Sequence, residues 1–375
     1  MELIIKNENK ILQKYLLIAA VAYQVFYNSS FRVVNTANIW KNLGYASLVI
    51  LLIYCFFEIV RTKNSIHTWI LFFIFLSVAV MYFYFGKFSV GMILVFTIYI
   101  FFMNTQDILS SYLIGIYLGT TGAIILSLIQ VLPIKDSFGT IVLGFKNPNT
   151  IGYYFAMIAM IQIMIKKGNY KILNFIVYIT AIYFNIKFFG NETAIMMMLL
   201  FILVYILFNY MRIFDKNWII TLCLGALPFI LFFIALYLGN NYGEYNYIEK
   251  INKIVTSRPV IWHYYLTNYP LSLFGNDVQI YTNGLAYTVG QGAFDGAYIY
   301  FPILNGILPF IIALFGLSIS NVYLYKSRNF ILLTLFIVLE ISGFSENLLF
   351  SFYQSPVIVM SLAMLSKTWR RENLV

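Results

Sequence analysis

Charge is what this chain has least of. Only 10% of its 375 residues are Asp, Glu, Lys or Arg, where a soluble domain carries about 25%. Its mean hydropathy is +0.83, with 31 Tyr and 36 Phe. That composition excludes a water-soluble globule. Cysteine is nearly absent: Cys55 and Cys223 alone rule out a disulfide framework or a cysteine metal cluster. The two histidines, His67 and His263, rule out a multi-histidine metal site. No Gly-rich phosphate loop of the Walker or dinucleotide type occurs, so the sequence carries no recognisable ATPase of its own.

Apolar runs fill the chain instead. Twelve can be counted, near 13–31, 43–60, 68–85, 88–104, 108–131, 149–165, 171–189, 193–211, 217–238, 297–324, 329–347 and 350–366. Runs of about 20 apolar residues are the signature of transmembrane helices. The expected fold is therefore all-α: one polytopic membrane domain over 1–375 with about twelve spans. The start of the chain, three lysines and then "YLLIAAVAY", mimics a signal peptide. A first membrane helix is the better reading, because no secreted domain follows.

Basic residues set the orientation, since cytoplasmic loops are enriched in Lys and Arg. In a twelve-span arrangement the clusters Arg61/Lys63, Lys166/Lys167/Lys171, Arg212/Lys216, Lys326/Arg328 and Lys367/Arg370/Arg371 join the N-terminal lysines on one side. That side holds 15 of the 24 basic residues. It is expected to be cytoplasmic, with both termini there. The net charge of +10 then reflects topology and gives no sign of nucleic acid.

One connection is long. Residues 239–296 form an external loop, and loops of this length are commonly functional or disordered. Its Tyr, Ile, Trp and Leu content argues for folded structure. "YIEKINKIV" places Ile248, Ile251 and Val255 on one face of a short surface helix. "SRPVIWHYYLTNYP" reads as a second: Ser257 or Arg258 at its cap, Pro259 in its first turn, Pro270 past its end. Arg258 and Trp262, four apart, should share a face.

Other polar residues gather at the same outer level. They are Lys146, Asn147 and Asn149 before the sixth span, then Lys187, Asn191, Glu192 and Thr193 after the seventh. The long loop adds His263, Asn276, Asp277, Asp295 and Tyr298, and the last outer turn adds Ser345, Glu346 and Asn347. Cations bind phosphate oxygens, arginine bidentately. Carboxylates take protons from sugar hydroxyls, aromatic rings stack on sugars, and apolar spans hold lipid tails. The set suits a sugar-phosphate ligand on a lipid.

Four stretches carry a family resemblance. "GFKNPNTIGYYFAMI" resembles the Phe-x-Asn-Pro-Asn signature of bacterial polysaccharide polymerases of the Wzy, or O-antigen polymerase/ligase, type. "TSRPVIWHYYLTNYPLSLFG" is similar to that family's Arg-x-x-x-Trp helix and following turn. "DGAYIYFPILNGILPFII" resembles its acidic residue leading into the next span, and "SENLL" its glutamate in a late outer turn. The four occur in the family's order over roughly 145–350. Two positions depart from the pattern: Glu192 stands where arginine is common, and Gly296 where asparagine follows the acidic residue.

The resemblance implies a metal-independent, cofactor-free glycosyltransferase akin to the C-type membrane enzymes, in the bacterial cytoplasmic membrane. It would join undecaprenyl-diphosphate-linked oligosaccharide units into an O-antigen, capsule or exopolysaccharide, alongside a flippase and a chain-length regulator. Arg258, Asp295 and Glu346 are the expected catalytic residues. Lys146, Asn147, Asn149, Lys187, Glu192, Trp262, His263 and Tyr298 are the expected substrate contacts. Asp295 also suits the N-cap of the tenth span, Asn147 and Asn149 also suit a turn, His263 also suits a structural hydrogen bond, and Arg258 could instead snorkel to headgroups. The rival classes are a flippase, which should show matching halves and broken mid-membrane helices, and a ligase of the same family.

Overall fold

In a lipid solvent each backbone N–H and C=O must be satisfied within the protein, and uninterrupted apolar sequence does this as helix. The computed structural model describes residues 2–35, 38–61, 66–165, 171–209, 217–278, 280, 294–366 and 369–370. Among them the regular elements are helical, with no strand and one isolated bridge between Lys135 and Ile141. The chain order begins α1 Glu2–Tyr27, α2 Phe31–Val34, α3 Asn38–Arg61, α4 Ile66–Tyr84, α5 Phe88–Ile100, α6 Thr105–Leu128, α7 Pro148–Ile165 and α8 Lys171–Phe184. A π turn over Asn185–Phe189 extends α8. Then come α9 Glu192–Asn209, α10 Trp218–Asn240, α11 Asn246–Ile254, α12 Arg258–Asn268, α13 Ala297–Asn305, α14 Ile307–Lys326, α15 Phe330–Ser342 and α16 Val357–Ala363. A 3-10 turn, Leu348–Phe350, precedes α16.

Six of these helices are long and apolar enough to cross a membrane: α3, α6, α7, Ile172–Phe189, α10 and α14. Four shorter apolar helices, Trp69–Tyr84, Phe88–Ile100, Glu192–Phe208 and Phe330–Ser342, pack with them. The protein is thus an α-helical membrane protein. Asparagines close several helix starts: Asn104 Oδ1 accepts from Asp107 N at 2.8 Å, and Asn217 Oδ1 from Ile219 N at 2.9 Å. Each answers an N–H that the first turn leaves unpaired.

The contacts sort the loops into two ends. At one end Lys14 meets Asp107 at 2.7 Å, Trp369 Nε1 donates to Ile100 O at 3.3 Å, and Asn217 N donates to the Tyr325 hydroxyl at 3.1 Å. At the other, Ser30 N donates to Gly144 O at 2.9 Å, Lys87 Nζ to Asn276 O at 2.7 Å, and Arg258 pairs with Glu346 at 3.0 Å. These are the residues that Lys/Arg bias assigns to the inner and outer sides respectively.

One apolar run is not one helix. The stretch 297–324, expected as a single span, breaks between α13 and α14 at Gly306, where φ is +104°. The cause is the loop that folds into the gap. Ile307 N donates to Ser272 O at 2.9 Å, and Asn276 donates to Ile303 O through its N at 2.8 Å and its Nδ2 at 3.1 Å. A Cβ on Gly306 would stand 2.2 Å from Leu273 O, so only glycine allows the approach. The last run, 350–366, yields only the seven residues of α16 as regular helix.

Within the long loop α11 and α12 are helical; residues 279 and 281–293 lie outside the described set. Ile248 of α11 is fully buried, and Pro259 sits in the first turn of α12. The cap differs. Ser257 makes no side-chain cap; its φ is +64°, following Thr256 at +51°. Asn252 reaches across from α11 instead, its Oδ1 accepting from Val260 N at 3.2 Å.

Candidate functional site

Three distant segments meet beneath α12. Arg258 opens that helix, Asp295 precedes α13, and Glu346 lies in the turn after α15. The two left-handed residues before Arg258 form a strained turn, of a kind that costs about 1–3 kcal/mol per residue and tends to mark functional positions. The turn aims the guanidinium inward. Arg258 Nη2 donates to Glu346 Oε1 at 3.0 Å and stands 3.8 Å from Asp295 Oδ2. Nε donates to Ser345 O at 3.2 Å, and Nη1 donates to Thr256 O at 3.2 Å and to Thr256 Oγ1. Side-chain exposures are 13% for Arg258, 7% for Glu346 and 31% for Asp295, so Asp295 is the group that an incoming ligand meets.

Asp295 is held by its backbone and its side chain. Trp262 Nε1 donates to Asp295 O at 2.7 Å, and Asn347 Nδ2 donates to Asp295 Oδ1 at 3.3 Å and to Phe294 O at 2.9 Å. Asp295 does not cap α13. The cap position is Gly296, and Ala297 N donates to Gly343 O at 2.8 Å and Glu346 O at 3.1 Å. Backbone from the glutamate turn thus closes the helix start, leaving the carboxylate of Asp295 for other work.

Gly296 explains one departure from the resembled pattern. Its φ is +99°, and a Cβ there would lie 2.7 Å from Trp262 Nε1 and Cζ2. No asparagine fits. Gly296→Ala is expected to push the indole off Asp295 O, since overpacking costs about 1–3 kcal/mol. A melting measurement in detergent should show the loss, and an unchanged Tm would mean that this contact holds nothing in place.

Burial raises both carboxyl groups. Asp295 is pushed up to about 7 by burial first and then by the charge of Glu346, with Arg258 opposing. Glu346 is also raised by burial, against the pull of Tyr153, Arg258 and Thr193. Two acids on one guanidinium favour a shared proton. The buried Tyr153 hydroxyl stands beside Glu346 and steadies its carboxylate.

The other sequence-derived candidates sort differently. Trp262 is fully buried, its ring edge-on to Phe344 at 5.2 Å, so it supports Asp295 and offers no face to a sugar. His263 Nδ1 meets Gly239 O at 2.9 Å and ties α12 to α10. Tyr298 is fully buried and donates to Glu340 O at 3.1 Å within the helix packing. Asn147 Oδ1 accepts from Asn149 N at 2.7 Å, the turn the sequence suggests, and Asn149 O accepts from Asn191 Nδ2 at 2.9 Å. Lys146 is exposed just before α7; Lys187, on the π turn, and Glu192, first in α9, are exposed and make no ion pair among the described residues. Among those residues no group of three His, Cys, Asp or Glu side chains is placed to hold a metal.

Sequence reasoning missed Tyr153, Thr256 and the backbone of Ser345. Only Tyr153 carried a signal: it lies one turn beyond Asn149, on the face that leads to the outer end. No protein-family model, curated protein or solved structure matches the chain.

Proposed function

We propose that this protein is a membrane glycosyltransferase that polymerises lipid-diphosphate-linked oligosaccharide repeat units at the outer face of the bacterial cytoplasmic membrane. The observation that carries the reading is the Arg258–Asp295–Glu346 cluster, two carboxylates on one buried guanidinium at the ends of membrane helices. In this reading Asp295 takes the proton of the acceptor sugar hydroxyl. The hydroxyl oxygen then forms the new glycosidic bond as the donor's anomeric carbon–oxygen bond breaks, and the lipid diphosphate leaves with the electron pair. Arg258 has nearly all of its N–H groups on protein acceptors. It therefore fixes the two carboxylates and lends its charge at short range to the departing diphosphate. Glu346 keeps Arg258 oriented, with the Tyr153 hydroxyl beside it.

The broken helix at Gly306 is the feature that favours the rival, a transporter. Against it, the loop fills the break: Ile303 O is taken by Asn276, and Ile307 N and Leu308 N by the carbonyls of Ser272 and Leu273. Purified protein given lipid-linked repeat units separates the readings. Polymer is the expected product; translocation without bond formation rejects the enzyme.

Orientation is tested separately. In a cysteine-free background, Asn246→Cys should label from outside and Gly168→Cys only after permeabilisation; Gly168 lies outside the described residues. The reverse pattern would place the cluster in the cytoplasm and remove the reading.

A further inference from the structure

Two cations at the outer end of the bundle are paired with carboxylates. Lys87 meets Asp277 at 3.4 Å and Arg258 meets Glu346 at 3.0 Å. Arg32 and Lys146 are different. Ser30 N donates to Gly144 O at 2.9 Å, and each cation lies two residues beyond that hydrogen bond on its own strand of chain. Both backbones are pinned. Phe31, beside Arg32, is buried against Phe26 at 4.6 Å and Trp40 at 5.0 Å. Phe145, beside Lys146, is buried against Tyr154 at 5.3 Å, and Gly144 N donates to Pro133 O at 2.8 Å.

Two positive side chains are thus brought together by fixed chain, and neither makes an ion pair among the described residues. Asp136, the acid of the 133–147 loop, is turned into that loop, its Oδ1 accepting from Phe138 N at 2.9 Å and Thr140 N at 2.8 Å. The guanidinium of Arg32 lies over the Tyr27 ring at 5.8 Å, which leaves its N–H edge open. Lys146 feels its neighbour: partial burial and then the charge of Arg32 lower its pKa. Like charges held close disfavour the empty state, and a multivalent anion reverses the sign of that interaction. Arginine supplies a bidentate fork for phosphate oxygens and lysine a mobile point charge.

We infer that Arg32 and Lys146 form a subsite for a diphosphate anion. The inference rests on the proposed glycosyl transfer for its purpose, since the diphosphate would be that of the lipid-linked sugar. It also supplies what Arg258, already bound to protein, does not: direct ligands for the phosphates.

The test is binding to full-length protein in phosphatidylcholine nanodiscs, with inorganic pyrophosphate and farnesyl diphosphate as probes. Arg32→Gln and Lys146→Gln should each weaken both probes by about tenfold, the usual worth of one charge-assisted contact. Arg32→Lys and Lys146→Arg should lose less, and Lys135→Gln, a cation on the same loop, should change nothing. Farnesyl diphosphate binding at least about tenfold tighter than pyrophosphate assigns the subsite to a lipid-borne diphosphate. Equal affinity assigns it to a free one. Affinities within about twofold of wild type in both Gln variants, or a loss confined to one, would overturn the paired seat. The readout needs no turnover, so a protein that binds diphosphate at this pair yet makes no polymer would refute the glycosyltransferase and keep the subsite.

Discussion

Arg258→Ala is expected to abolish polymer formation while the protein still reaches the membrane. The substitution strands Glu346 and Asp295 as neighbouring acids with no cation between them. Removing one partner of a buried ion pair costs about 3–5 kcal/mol. The lost transition-state charge adds about 2.7–4 kcal/mol, a hundred- to thousandfold in rate. Arg258→Lys keeps the charge but cannot reach Glu346, Ser345 O and Thr256 together, so it should be severely impaired. A double replacement separates structure from chemistry. Arg258→Met with Glu346→Leu removes both charges and should restore much of the stability with none of the activity. Normal polymer length and rate from Arg258→Ala at normal expression would reduce this cluster to packing.

Asp295→Asn should be as damaging, by about 10²–10⁴-fold, the range for loss of a general base. The amide keeps the hydrogen bond from Asn347 and leaves the Trp262 contact, which goes to the backbone, untouched. Because α13 is closed by Gly343 O and Glu346 O, the replacement does not weaken that helix start. Melting should therefore stay close to wild type while activity falls. The pH profile gives a second reading. A base must be deprotonated, and Asp295 is raised to about 7. Activity should climb as pH passes upward through that value and then level off. A profile flat from pH 5 to 9 in wild type would exclude Asp295 as the titrating base.

Much of this architecture was legible in the sequence because lipid burial demands apolar residues whatever their period. The ends of α12 were legible from Pro259 and Pro270, and the meeting of Arg258 with Glu346 from their placement at one level. The break at Gly306 was not. Gly306 and Pro309 are local breakers in "ILNGILPF", but membrane helices often carry both, and the break was evident only once the incoming loop was seen in the gap. Trp262 looked like a stacking platform because an indole four residues from an arginine shares its helix side, yet nothing local reveals which neighbour will bury it. Tyr153 was hidden among tyrosines and phenylalanines that serve packing; its place beside Glu346 exists only in three dimensions. Arg32 looked like an isolated edge charge until Ser30 was seen on Gly144.

The segment that fills the break at Gly306 has a consequence for how the protein is made. Residues 272–276 leave the ribosome before α13 and α14, and they supply the hydrogen bonds that the discontinuous pair lacks. A nine-residue helix followed by a longer one, with unpaired backbone groups at the break between them, inserts poorly. They become stable only once the earlier segment has arrived at its own end of the bundle. Biogenesis is therefore ordered: docking of the loop is a precondition for seating the C-terminal third of the chain. A nascent chain whose loop fails to dock exposes unpaired amides in the bilayer. Because α13 follows directly on Asp295, a chain in which that helix is left unseated is also one in which the Arg258–Asp295–Glu346 cluster is incomplete.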